Sequence, residues 1–398
     1  MEQTTAVRKK PSPGVTLFIM LISMTAGAMC LNKVPPLFMY INESLNIQSD
    51  ALSGALMSVF VFSGIFLALP IGMIITKIGT YKIGIIALAC SAIGSLLGVI
   101  EGGYALLLIS RIIEGVGLVF LLTLGPAAVG AAFGDKRRGT AMGVLMCFMA
   151  FGQIIMLNVA PRMAEIGSWR NIWWLTGVFS AAALVAWVFV ARGFDNGAPS
   201  SDEAGPKQSL TGVVIKNKSV WFIAITTMLY LIAQQGVFAF WPRYLTEVRG
   251  VAAVTAGTWT SLASIIGIPV GIVVGIIADK MGSRKKPLII LSVACAVVYA
   301  FTPLYPTSSY IVMILLYGIA TMGVMGLCFS SVAQAIDSPE QGSIAVSIVN
   351  MCHWIGIFVS SILFGGLLGA FGWNMAFYIM APIAILSGLF ALINKRVA

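Results

Sequence analysis

The sequence predicts an all-α membrane protein with twelve spanning helices, and three observations carry that prediction. Of 398 residues, 59% are hydrophobic and only 10% charged, too little polar surface to cover a soluble core of this size. The apolar residues fall into about twelve runs of roughly 20, each long enough to cross about 30 Å of hydrocarbon as a helix. Basic residues gather in every second connection between the runs, as they do on the cytoplasmic side of a bilayer. The alternating ten-residue strands of a closed barrel are absent.

The runs justify themselves in order. Run 1 (14–41) follows Arg8, Lys9 and Lys10. It is too long for a signal peptide and lacks a convincing small-residue cleavage site, so it reads as helix 1. It carries Asn32, Lys33, Pro35 and Pro36. Helix 2 (53–76) leads into Gly72-x-x-x-Thr76-Lys77-x-Gly79-x-x-Lys82, and helix 3 covers 82–100. Helix 4 (104–126) holds Arg111-Ile-Ile-Glu114-Gly115-Val-Gly117. Helix 5 (139–161) holds Gln153 and Asn158, and Trp169-Arg170 precedes helix 6 (171–192). Residues 193–218 are rich in Gly, Pro, Ser and charge and read as a flexible linker. Helix 7 (219–243) brings Gln234, Gln235 and Trp241-Pro242-Arg243-Tyr244. Helix 8 (252–277) runs into Gly275-x-x-x-Asp279-Lys280-x-Gly282-x-Arg284. Helices 9 (286–304) and 10 (309–332) follow, then helix 11 (342–367) with Asn350 and His353, the one histidine of the chain. Gly372-Trp373 precedes helix 12 (373–394).

The net charge of +10 suggests nucleic acid until the charges are placed. About 18 of the 24 lysines and arginines lie in alternate connections, which puts both termini in the cytoplasm. Nucleic acid is therefore not an expected partner. The six cysteines sit scattered inside apolar runs, as small core residues rather than a disulfide framework or metal site. No phosphate-cradling loop followed by Lys-Ser/Thr is present, and one histidine makes a metal site unexpected. No enzyme, catalytic group, cofactor or metal is predicted.

The run after helix 8 resembles the loop signature of the major facilitator superfamily, and Arg111 to Gly117 resembles that superfamily's fourth-helix motif. The Gly72 run repeats the Gly275 run, and Thr321 and Gly323 repeat Gly115 and Gly117. The match extends to helix count, linker position, Trp169-Arg170 and Gly372-Trp373. The resemblance implies two six-helix bundles related by a parallel pseudo-repeat, with a half at 1–192, a linker at 193–218 and a half at 219–398. It implies a monomeric transporter that moves a small solute by alternating access, with helices 1 and 4 lining the cavity of the first half. It also implies a cytoplasmic latch formed by Gly72, Lys77 and Gly79 in one half and Asp279, Lys280, Gly282 and Arg284 in the other. Thr76 stands where the first latch should have an acid. Shorter runs, Leu31-Asn32-Lys33-x-Pro35-Pro36 and Trp241-Pro242-x-Tyr244-Leu245, resemble the cyanate and nitroimidazole transporter branch.

Charges inside hydrocarbon are costly and mark functional groups. Lys33 stands about eight residues from the outer end of helix 1, and Arg111 about seven from that of helix 4, roughly 12 and 10 Å deep at 1.5 Å per residue. Glu114 lies one turn deeper on the face of Arg111. Two cations and one carboxylate leave a charge of +1, which an anionic substrate would balance, and Arg suits a carboxylate through two parallel hydrogen bonds. The competing readings are a structural Arg111–Glu114 staple and a Lys33 that snorkels to the interface. Pro35 and Pro36 remove the donors for the carbonyls of Leu31 and Asn32 and mark a hinge or a packing kink. The substrate-binding set expected is Lys33, Arg111, Asn32, Gln153, Gln234, Gln235, Trp241 and His353, with Glu114 carrying a coupling proton. The function expected is secondary transport of a small anion, driven by protons or by exchange, from within a cell membrane. The alternative is a drug/proton antiporter. That reading lacks the Gly-Pro-x-x-Gly-Gly run of helix 5, since Gly125-Pro126 ends helix 4. A membrane sensor that binds without transport is a third reading, opposed by the intact loop motif.

Overall fold

The computed structural model describes residues 11–68, 70–133, 135–194, 208–338 and 341–397. The basic cluster at Arg8 to Lys10, linker residues 195–207 and the side chain of Thr76 lie outside the described residues. Every regular element described is helical. The spanning helices are α1 (Pro13–Asn32), α2 (Asp50–Leu67), α3 (Thr80–Val99), α4 (Gly103–Ala132), α5 (Thr140–Ile166), α6 (Arg170–Val190), α7 (Lys218–Glu247), α8 (Ala253–Met281), α9 (Lys285–Phe301) and α10 (Thr307–Ala335).

The remaining helical stretch, Gly342–Ile393, runs for 52 residues. At 1.5 Å per residue it is about 78 Å long, more than twice a hydrocarbon core. Gly372 breaks it with φ 75° and ψ 176°, a conformation only glycine adopts freely. We therefore divide it into α11 (342–371) and α12 (373–393). Among the described residues, eleven continuous stretches are long and apolar enough to cross a membrane, and dividing the last at Gly372 matches the twelve runs expected. Helix α5 includes a turn at Cys147, and α10 is interrupted at Met322 and Gly323, the latter with φ 99°. The interruption of α10 falls at the expected counterpart of Gly117.

The chain forms two compact units by contact. The first contains α1 through Leu31, residues 70–152 with α3, α4 and the start of α5, and α6. Its α3 and α4 approach closely: a Cβ on Gly94 would lie 2.7 Å from the Glu114 side chain, and one on Gly117 2.4 Å from the Ala87 carbonyl. Trp173 and Trp187 of α6 lie against Gly98 and Gly84 of α3, with Trp187 donating to the Tyr81 carbonyl (3.0 Å).

The second unit contains residues 32–69, residues 153–169 of α5, and α7 to α12. Here α5 meets α8 through polar bonds. Ser264 donates to Gln153 (2.8 Å), Thr258 donates to Asn158 (2.9 Å), and Asn158 donates to Ser261 (3.1 Å). A Cβ on Gly257 would lie 2.0 Å from the Leu157 carbonyl, so the two helices touch backbone to backbone.

The loops after the second and eighth runs share a conformational device. Gly79 (φ 93°) ends the short helix Ile71–Ile78, and Gly282 (φ 58°) ends α8 in the left-handed region. The N–H of Ser283 returns to the Ala278 carbonyl at 3.2 Å, the terminal bond of a glycine-closed helix.

Candidate functional site

Arg111 and Glu114 are three residues apart on α4 and both are completely buried. Helix spacing puts them on one face, and they form an ion pair of 2.5 Å. A pair this dry is costly unless the remaining donors and acceptors are matched, and here the neighbouring helices match them.

The first match comes from α1. That helix stops at Asn32 and resumes only after a 3-10 turn, Pro35–Leu37, in the short helix Phe38–Ser44. Pro35 has no N–H to give the Leu31 carbonyl, four residues back. Arg111 supplies the donor instead: Nη2 reaches the Leu31 carbonyl at 3.3 Å and Nη1 the Cys30 carbonyl at 2.6 Å. The break at Pro35 thus leaves the Leu31 carbonyl open to the guanidinium.

The second match comes from α3 and α6. Ser95 donates to Glu114 Oε1 at 2.6 Å, and Thr176 donates to Ser95 at 3.1 Å. The Cys30 sulfur lies 3.5 Å from the same Ser95 hydroxyl. Four helices of the first unit therefore converge on one carboxylate and one guanidinium. Ser95 and Thr176 were absent from the expected set, because a lone serine or threonine in an apolar helix usually bonds its own preceding turn. The Ile172 carbonyl, 3.0 Å away, is an alternative acceptor for the one Thr176 hydroxyl proton.

Lys33 belongs to the second unit by contact and has no exposed surface, and Asn32 is equally buried. The other expected residues take distinct places there. Gln153 serves the α5–α8 interface described above. Gln234 donates to the Tyr317 hydroxyl (3.0 Å), and Tyr317 donates back to the Gln234 carbonyl (3.2 Å). Trp241 meets Tyr317 edge to face, 4.3 Å between ring centres. Gln235 is buried beside them in sequence. His353 lies between the rings of Phe329 and Trp354, at 6.2 and 5.1 Å, with Nδ1 buried and unbonded. Tyr317 is the member of this group that sequence reading missed, since an aromatic inside an apolar run carries no distinguishing signal.

At the loops, Asp279 pairs with Arg284 of its own turn at 3.2 Å, and its side chain is 71% exposed. Lys280 is exposed beside it. Gly72 and Lys77 are exposed on the short helix that Gly79 closes. Among the described residues, no cluster of three His, Cys, Asp or Glu could hold a metal ion.

A comparison with known proteins fits this architecture. The chain is 29% identical over 291 residues to the "Glycerol-3-phosphate transporter" of Bacillus subtilis, spanning 65% of this chain and 64% of that one. It is 24% identical to the "Probable nitrate transporter NarT" of Staphylococcus haemolyticus, over 95% of this chain and 96% of that one. It is also 24% identical over 189 residues to the "Lincomycin resistance protein LmrB" of Listeria monocytogenes, covering 46% and 38% of the two chains. The crystal structure of a bacterial homologue of the human lysosomal transporter Spinster superposes with a TM-score of 0.74, at 15% identity and 98% coverage of both chains. Residues 16–345 match the family described as "Major Facilitator Superfamily". With its spanning helices, paired loop motifs and this match over most of its length, the chain belongs to the Major Facilitator Superfamily: it is a multi-pass membrane transporter and not an enzyme.

Proposed function

We propose that this transporter carries a small anion by proton-coupled symport or exchange, with Arg111 as the substrate cation and Glu114 as the coupling acid. The observation that carries the reading is the dry Arg111–Glu114 pair held by the Cys30 carbonyl and by the Leu31 carbonyl, which Pro35 leaves without a donor. Carbonyl acceptors bind a guanidinium less strongly than a carboxylate does, because charge-assisted bonds at both partners are the stronger ones. An incoming anion can therefore compete for Arg111. As it draws Arg111 away, Glu114 loses its counter-charge and takes up a proton. Lys33, fully buried in the second unit, is the second cation we assign to the substrate. Gln234, Gln235, Trp241 and His353 are the contacts we assign to the half at 219–398, which moves against the half at 1–192 about the linker at 193–218. The basic connections support cytoplasmic termini. The relatives named for nitrate and glycerol 3-phosphate support an anionic cargo.

Uptake of labelled nitrate, phosphate and small carboxylates into proteoliposomes tests the reading. Arg111→Ala and Lys33→Ala should each abolish uptake of the anion that the parent carries. Normal transport by both variants would overturn the anion site. Glu114→Gln should uncouple uptake from an imposed proton gradient, and full proton dependence in that variant would overturn the coupling role. Efflux of lipophilic cations alone would instead favour a drug/proton antiporter.

A further inference from the structure

A second charged cluster lies in the second unit. Arg243, near the end of α7, pairs with Asp50 at the start of α2 (2.5 Å) and with Glu247 one turn along its own helix (2.7 Å). The three side chains are 13%, 21% and 31% exposed. The Arg243 guanidinium also lies 5.9 Å from the ring centre of Trp373, at the start of α12.

The backbone beneath the pair is bare. A Cβ on Gly365 of α11 would lie 2.2 Å from the Asp50 carbonyl, and one on Gly54 of α2 2.0 Å from the Ser361 carbonyl. At this end of α2 the contact runs through glycine and backbone, while further along the Trp354 ring lies against Gly64 and Phe62 meets Phe358, 5.7 Å between ring centres. The charges at the glycine end add to how firmly the two helices hold. Asp50 and Arg243 stand 193 residues apart, and among the described residues Asp50 pairs with one cation while Arg243 pairs with two carboxylates.

We propose that Asp50, Arg243 and Glu247 form a three-member charge lock on the outer ends of α2 and α7, beside the α2–α11 contact, in which Arg243 passes from Asp50 to Glu247 alone when α2 leaves. Breaking an ion pair that is largely out of water strands a charge. Here Glu247 stays on the same helix as Arg243 and keeps it neutralised, which lowers the cost of opening. The two carboxylates thus act in opposite senses: Asp50 holds the lock closed, and Glu247 makes its opening affordable. The proposal rests on alternating access and not on the choice of substrate, so failure of the Arg111 variants leaves it standing.

The sense of the two effects is testable. Ser58 is fully buried on α2, one turn beyond Gly54 and on the same face. In Ser58→Cys, a membrane-impermeant maleimide added outside reports departure of α2 from α11, with labelling of the parent subtracted. Asp50→Asn should raise the labelling rate about tenfold, the factor for about 1.4 kcal/mol of lost charge-assisted bonding. Glu247→Gln should lower it. The exchanged pair Asp50→Arg with Arg243→Asp should return the rate toward the parent's. Gly365→Ala leaves every charge in place and should raise the rate by holding α2 off, which serves where Asp50→Asn folds poorly. Asp50→Asn and Glu247→Gln moving the rate in the same direction would overturn the proposal, as would labelling that stays at background in both Asp50→Asn and Gly365→Ala.

Discussion

Arg111 and Glu114 show how one residue can be read two ways and how physics separates them. Truncating one member of a buried pair leaves an uncompensated charge and costs about 3–5 kcal/mol, whereas replacing both with apolar residues is often neutral or stabilising. Glu114→Ala and Arg111→Ala should therefore each lower the thermal midpoint in detergent, while Arg111→Met with Glu114→Leu should melt at or above the parent. Transport by that double variant would mean a mere staple; we expect it to fold and not to transport. The pair itself was legible in the sequence, because a charge in an apolar run stands out. Its supporting groups were not. Ser95, Thr176 and the carbonyls of Cys30 and Leu31 look ordinary until the helices meet. Asp50 was hidden for a different reason: it stands at the mouth of a helix, where an acid is expected for the helix dipole alone.

At the scale of elements, the break after α1 connects sequence to site most directly. Replacing both Pro35 and Pro36 with Ala restores N–H donors to the Leu31 and Asn32 carbonyls, and removing a proline from a helical path is worth about 3 kcal/mol where the helix can re-form. The variant should melt higher than the parent yet transport more slowly, since Arg111 loses an acceptor. A lower midpoint, or unchanged uptake, would show that the break is not built for Arg111. The α5–α8 contact makes the converse case. Gly257→Ala puts a methyl 2.0 Å from the Leu157 carbonyl, and overpacking of this kind costs about 1–3 kcal/mol. The thermal midpoint should fall accordingly, and an unchanged one would mean that α8 shifts freely. Helix positions were legible from the length and polarity of the runs. Which polar residues face a neighbouring helix was not, because that depends on rotation about the helix axis. Gln153 was expected at substrate and is found bonded to Ser264, with Asn158 similarly engaged by Thr258 and Ser261.

For the whole molecule, a ligand that binds only the folded transporter adds about 2.7 kcal/mol at 100 times its dissociation constant. Melting the purified protein against a panel of anions, sugars and lipophilic cations should give a rise with an anion, absent in Arg111→Ala. A rise with lipophilic cations alone would transfer Glu114 to the role of binding acid. The family was legible because its loop signature survives as a turn that needs Gly282 in a left-handed conformation and Gly79 at positive φ. The cargo was not legible, because it depends on a few side chains whose rotation and depth no run length encodes. The joint at Gly372 has a practical consequence. With one glycine between α11 and α12, that hairpin offers no slack to an epitope tag, a glycan or a protease. A force applied to the last helix meets a single residue before the helix that carries His353 and Gly365, so a fusion partner at the carboxyl end would load the contact that the proposed lock sits beside.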